Sequence, residues 1–126
     1  MLKLKIRTRS GEYHAELDDS DISNAVWFSA TPFTTQVNEL GCSLYFEMPL
    51  DVPENGERQT KFEVGDIAWW PGVGALCIFY GPTPLSGEDG KPVHKYKCIK
   101  LGRIVGDCSS LEGTGDRQNI TLEQEF

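Results

Sequence analysis

No apolar run in this chain approaches the roughly 20 residues that a membrane-spanning helix requires. Met1-Leu2-Lys3-Leu4-Lys5 alternates where a signal peptide would hold a continuous apolar block, so no membrane association is expected, and a cytoplasmic location is. Positive charge is scarce as well: 12 Lys and Arg stand against 19 Asp and Glu, and the net charge of −7 repels a phosphate backbone. The one basic concentration, Lys3, Lys5, Arg7 and Arg9, alternates as a strand face does, so no nucleic-acid partner is expected. Cysteine is limited to Cys42, Cys77, Cys98 and Cys108, without a Cys-x-x-Cys pair or a nearby histidine cluster to complete a zinc site. These read as buried or half-buried thiols: no metal or other cofactor is assigned, and a reducing compartment disfavours disulfides.

Nucleotide signatures are missing too. Gly72-Val73-Gly74 starts like a dinucleotide loop, but Cys77 stands where the third glycine belongs and strand-like residues follow. Gly90-Lys91 runs into Pro92, and Leu85 occupies the position of a phosphate loop's first glycine. Cys42 has no histidine placed beside it for nucleophilic catalysis. Asp18, Asp19 and Asp21 lack calcium-loop spacing and are explained as helix-capping groups.

What is present is the composition of an ordinary globular domain. A length of 126 residues with 39% hydrophobic and 25% charged residues supports one core and one domain over 1–126. Leu2, Leu4 and Ile6 alternate with Lys3, Lys5 and Arg7, Ser10-Gly11 turns the chain, and Tyr13, Ala15 and Leu17 form a hairpin partner that sets Glu16 against the cations. His14 falls on the solvated face of that partner. A helix is expected over about Asp19 to Ala30, with Ile22, Ala25, Val26 and Ser29 as its stripe and Pro32 as its end. Residues 31–41 show no period and read as a loop, while residues 49–57 read as a turn-rich mobile rim.

Leu44, Phe46 and Met48 share one face of the next strand, which sends Tyr45 and Glu47 to the other. The stretch from Gly65 to Leu85 holds two further strands, Ile67–Trp70 and Ala75–Tyr80, both apolar on both parities. Such strands are either covered twice or expose a face to a partner, and Trp70 is taken as the exposed side. A strand near His94 to Leu101 places Tyr96 and Cys98 on one side and leaves His94 exposed. Ile120 and Leu122 supply the last strand. Seven or eight strands, one helix and no βαβ rhythm favour a small, mostly antiparallel barrel. Tyr45, Glu47, Trp70, Cys77 and Phe79 are expected to converge on one surface, a mixture of aromatic faces and one carboxylate suited to binding.

The stretch Gly65-Asp66-Ile67-Ala68-Trp69-Trp70-Pro71 through Ala75-Leu76-Cys77-Ile78-Phe79-Tyr80-Gly81-Pro82-Thr83-Pro84 resembles the small cyclophilin-like proteins of prokaryotes. Asn38, Gly41, Tyr45-Phe46-Glu47-Met48-Pro49 and Lys100-Leu101-Gly102-Arg103-Ile104-Val105-Gly106 extend the resemblance over most of the chain. It implies a closed cyclophilin-type β-barrel with one short helix, without by itself implying prolyl isomerisation. The Phe-His-Arg strand and Gln-Gly-Gly turn of the isomerases have no match here, and Phe79 is the one counterpart of their groove's phenylalanine. The expected function is therefore binding of a peptide or small ligand by Tyr45, Glu47, Trp70 and Phe79. Weak prolyl isomerase activity is the enzymatic alternative; it requires an arginine that polarises the prolyl nitrogen, for which Arg103 is a poor candidate because it lies off the central strands. A homodimer contact is a third use of the apolar face.

Overall fold

The computed structural model describes residues 1–126. Its strands are β1 (Leu2–Thr8), β2 (Gly11–Leu17), β3 (Phe33–Gln36), β4 (Asn38–Glu39), β5 (Ser43–Glu47), β6 (Arg58–Lys61), β7 (Asp66–Trp70), β8 (Ala75–Phe79), β9 (Val93–Val105) and β10 (Asn119–Glu125). Helix α1 (Asp21–Ser29) follows β2, and a 3₁₀ turn (Ser109–Gly113) precedes β10. No helix is long and apolar enough to cross a membrane.

The first hairpin forms as its alternation requires. Leu4 faces Ala15 and Ile6 faces Tyr13 on the buried side, while Lys3 faces Glu16 and Arg7 faces Glu12 on the other. Strand β10 adds acids to the cationic face, and Arg7 Nη2 lies 2.9 Å from Glu123 Oε1. Helix α1 is shorter than expected. Ser20 caps it by accepting the Ser23 N–H at 3.2 Å, and Asp18 Oδ1 accepts the Ser20 and Ser23 hydroxyls at 2.6 Å each. This side-chain network, rather than the acidic run alone, sets where the helix begins. The helix packs on β1 and β10, with Ile22 and Val26 buried.

The segment expected to be a loop, 31–41, contains β3 and β4. Strand β3 pairs with β10, Phe33 facing Leu122, and β4 pairs with β5, Asn38 facing Tyr45. Its threonines and polar residues hide the alternation because edge strands draw their order from a neighbour's ladder more than from their own hydrophobicity.

All pairings are antiparallel, and the ladder runs β3-β10-β1-β2-β9-β7-β8-β5-β4, with β6 paired to β9 off this path. The expected closed barrel is thus an open ten-stranded sheet in its hydrogen bonding, since β3 and β4 are its two edges. Those edges are consecutive in the chain. Only Val37 separates them, fully buried and bonded through its backbone to Gln118 and Arg117 at 2.9 Å, so the sheet must curl until its edges stand one residue apart. The curl encloses the main core, 24 buried residues that include Leu4, Ile6, Phe46, Ile67, Trp69, Leu76 and Ile78. Trp69 donates its indole N–H to Glu54 at 2.8 Å, and Glu54 also accepts the Gly72 N–H at 3.1 Å, which ties the expected mobile rim to the β7–β8 turn.

Strand β9 is the longest and pairs in turn with β6, β7 and β2. It crosses β2 closely at Gly102. A Cβ there would run into the Glu16 carbonyl oxygen and come within 2.8 Å of the Leu17 Cα, both backbone atoms that cannot rotate aside. Gly102→Ala is therefore expected to destabilise the fold by roughly 2–4 kcal/mol, read as a lower urea midpoint at unchanged m-value.

Candidate functional site

Strand β7 is apolar on both parities, and the structure covers both. Ile67 and Trp69 enter the main core, whereas Ala68 belongs to a second cluster on the outer face with Phe62, Cys77, Phe79 and Cys98. Register explains this grouping. Cys77 faces Ala68 on one side and Tyr45 on the other, Phe79 faces Ser43, and Trp70 faces Ala75. Tyr45, Cys77, Phe79 and Trp70 thus share a face, as parity requires.

Two elements roof that face. Phe62, just after β6, stacks on Phe79 at 4.6 Å between ring centroids. The second is a bulge in β9: the two steps from Gln59 to Lys61 in β6 are matched by five along β9, from Cys98 back to Val93. The surplus chain folds back on itself, so that His94 Nδ1 lies 2.9 Å from the Tyr96 carbonyl oxygen, 3.1 Å from the Tyr96 nitrogen and 3.7 Å from Cys98 Sγ. His94, expected to be exposed, is 6% exposed, because the folded-back chain of the bulge lays its ring against Trp70 and beside Cys98.

The donor atoms of Cys77, His94 and Cys98 lie within 4.8 Å of one another, and all three residues are buried. The hydrogen bond with Cys77, followed by the neighbouring imidazole, holds the Cys98 thiol down to about 6 despite its burial. The same bond, with burial, pushes Cys77 well up. For His94, burial lowers the pKa, but the hydrogen bond and charge of Cys98 outweigh it and leave it raised. The group combines two sulfur donors, one nitrogen donor and an aromatic enclosure, a set suited to a soft cation or to proton exchange. Sequence reasoning missed His94 and Cys98 as partners of Cys77. Their common parity in β9 was the available signal, but the strand order that brings them beside β8 was not.

Beside this cluster opens a cavity of about 250 Å³, lined by Leu40, Trp70, Pro84, Leu85, His94 and Tyr96 among others. Trp70 forms its inner wall, 4.4 Å from the His94 ring edge-on and stacked on Tyr96 at 5.6 Å. Of the four residues expected to bind ligand, Trp70 lines this cavity, and Tyr45 stands behind it, 5.7 Å from Trp70. Phe79 is fully enclosed and supports the wall from within. Glu47 is exposed and borders a different depression with Phe33, Thr34 and Val73. The expected groove is therefore divided, because the roof over Phe79 closes the middle of the shared face. Phe79→Ala is expected to cost about 3–5 kcal/mol in chemical denaturation, and Glu47→Ala less than about 0.5 kcal/mol.

Comparison with known proteins agrees with this architecture. A family model described as cyclophilin-like matches residues 2–123. The solution structure of the hypothetical protein AF2241 from Archaeoglobus fulgidus is similar, with a TM-score of 0.79 and 27% identity over 98% of this chain and 95% of that one. No curated protein matches the chain. With the family model spanning nearly the whole curled antiparallel sheet, the chain belongs to the cyclophilin-like family.

Proposed function

We propose that the domain is a binding module whose cavity accepts one apolar or aromatic group carried by a peptide or small molecule. The observation that carries this reading is the convergence of Trp70, His94 and Tyr96 with Leu40, Pro84 and Leu85 around one opening. Leu40, Leu85 and Tyr96 are each about half exposed, at 49%, 54% and 52%, so the rim holds an apolar patch open to water. Covering that patch with a ligand's apolar surface is favourable at about 25 cal/mol per Å². At about 250 Å³ the cavity falls below the roughly 300–1,000 Å³ typical of sites for drug-sized molecules, and suits a single ring or branched side chain. Lys95 on the rim offers a cation to a nearby carboxylate.

An isomerase reading needs an arginine aimed at the prolyl nitrogen, and Arg103 instead lines a separate cleft with Glu16, Asp18 and Gly56. Binding is the better supported use of the site.

Tryptophan fluorescence titrations against peptide and metabolite libraries should find a ligand whose affinity falls about tenfold to a hundredfold in Trp70→Ala and Tyr96→Ala. Phe28→Ala, an exposed aromatic on α1, should leave that affinity unchanged. Ligands that bind all four proteins equally would show that binding occurs elsewhere.

A further inference from the structure

The outer cluster poses a problem that its apolar neighbours do not. Phe62, Ala68 and Phe79 would pack well against further aliphatic residues, yet two sulfurs and an imidazole are brought together among them. Placing His94 beside Cys98 takes a bulge that interrupts the β6–β9 ladder. Three explanations compete: inert packing, a disulfide, and a bound ion.

A disulfide does not suit the topology. Cys77 lies on β8 and Cys98 on β9, with β7 hydrogen-bonded between them. Two interstrand spacings amount to roughly 9–10 Å, whereas a disulfide joins Cα atoms about 4.4–6.8 Å apart. The strands would have to leave the sheet to form it. A metal ion bridges that gap because it adds two bonds to the path between the sulfurs. With metal–sulfur bonds of about 2.3 Å and metal–nitrogen bonds of about 2.0 Å, donors around one ion stand roughly 3.5–4 Å apart. The His94 Nδ1 to Cys98 Sγ distance is 3.7 Å, and no pair in the cluster exceeds 4.8 Å. Small side-chain movements bring the set to coordination distance.

We propose that Cys77, His94 and Cys98 form a binding site for one soft, closed-shell metal ion, with zinc(II) favoured over copper(I). Donor softness selects thiophilic cations over magnesium or calcium. Charge then separates the two closed-shell ions: two thiolates neutralise zinc(II) and leave copper(I) with a net negative charge, which an enclosure of Phe62, Phe79 and Trp70 disfavours. On binding, Cys77, Cys98 and His94 meet the metal as two thiolates and a neutral imidazole, the protons they carry pass to solvent, and Nδ1 gives up its contacts with the Tyr96 backbone for the metal. His94 is the one residue this donor set shares with the lining of the cavity, and the set is complete without any ligand there, so the metal site stands apart from the binding reading above.

The test uses the full chain, reduced and stripped with a chelator, then titrated separately with cobalt(II), zinc(II) and copper(I). One cobalt ion should bind per chain with a thiolate-to-metal charge-transfer band, and zinc should displace it. In moderate urea, where the stripped chain opens its buried thiols to reagent, zinc should protect two of the four cysteines from alkylation, identified by mass spectrometry as Cys77 and Cys98. Cys42→Ser/Cys108→Ser should keep uptake, while Cys98→Ser and His94→Gln should weaken it by more than about a hundredfold. Should the last two variants fail to fold, protection in the native chain and uptake by the Cys42/Cys108 variant still decide the matter. Absence of stoichiometric uptake, protection of Cys42 or Cys108 instead, or formation of a Cys77–Cys98 disulfide in place of metal binding would each overturn the proposal. Tighter binding of copper(I) than of zinc(II), measured by competition, would overturn the preference for zinc.

Discussion

Strand β7 carries apolar residues on both parities, and a strand of that kind is stable only when each face is removed from water. Ile67 and Trp69 achieve this by entering the core that the curled sheet encloses. Ala68 and Trp70 point the other way, so the outer face needs a cover of its own. Phe62 after β6, together with the bulge in β9, supplies it. The second cluster, the buried histidine and the neighbouring cavity all follow from that requirement.

The cover is incomplete, and its margin is where the chemistry collects. Phe62 seals Phe79 completely. Toward the β9 bulge the roof is made by His94 and Tyr96, a polar ring and a half-exposed one, and the residues after Gly81 come up to its edge without closing it. His94 therefore faces two environments. One side meets Cys98 and Cys77, and the other meets Trp70 and the cavity. A single side chain links the enclosed donor set to the open surface.

The inner core makes fewer such demands. Its members alternate along β1, β2, β5, β7, β8 and β10 as a pleated sheet requires, and its few polar atoms are paired: Trp69 with Glu54, and Tyr80 with Glu39 at 3.1 Å. Gly102 allows β9 to pass β2 closely enough to continue the sheet. The chain closes the curl through Val37 rather than through a continuous ladder, which leaves β3 and β4 short and limits the exposed edge.

Alternation and capping are local properties, and they were legible in the residues alone. The first hairpin, the single helix, the two-faced strands and the parity of Tyr45, Trp70 and Phe79 within their own strands depend on neighbours only a few positions apart. The long Gly/Pro-punctuated stretch also carried the family resemblance. Other features depend on which distant strands lie side by side. Neither parity of β7 could show that Trp69 rather than Trp70 faces the main core, since both are equally apolar. The strands in 31–41 take their order from β10 and β5. His94 is buried by a three-residue surplus in β9 that exists only relative to β6. The meeting of Cys77 with Cys98 was decided by tertiary structure for the same physical reason: interstrand register brings residues 21 positions apart across an intervening strand, and no local pattern encodes that distance.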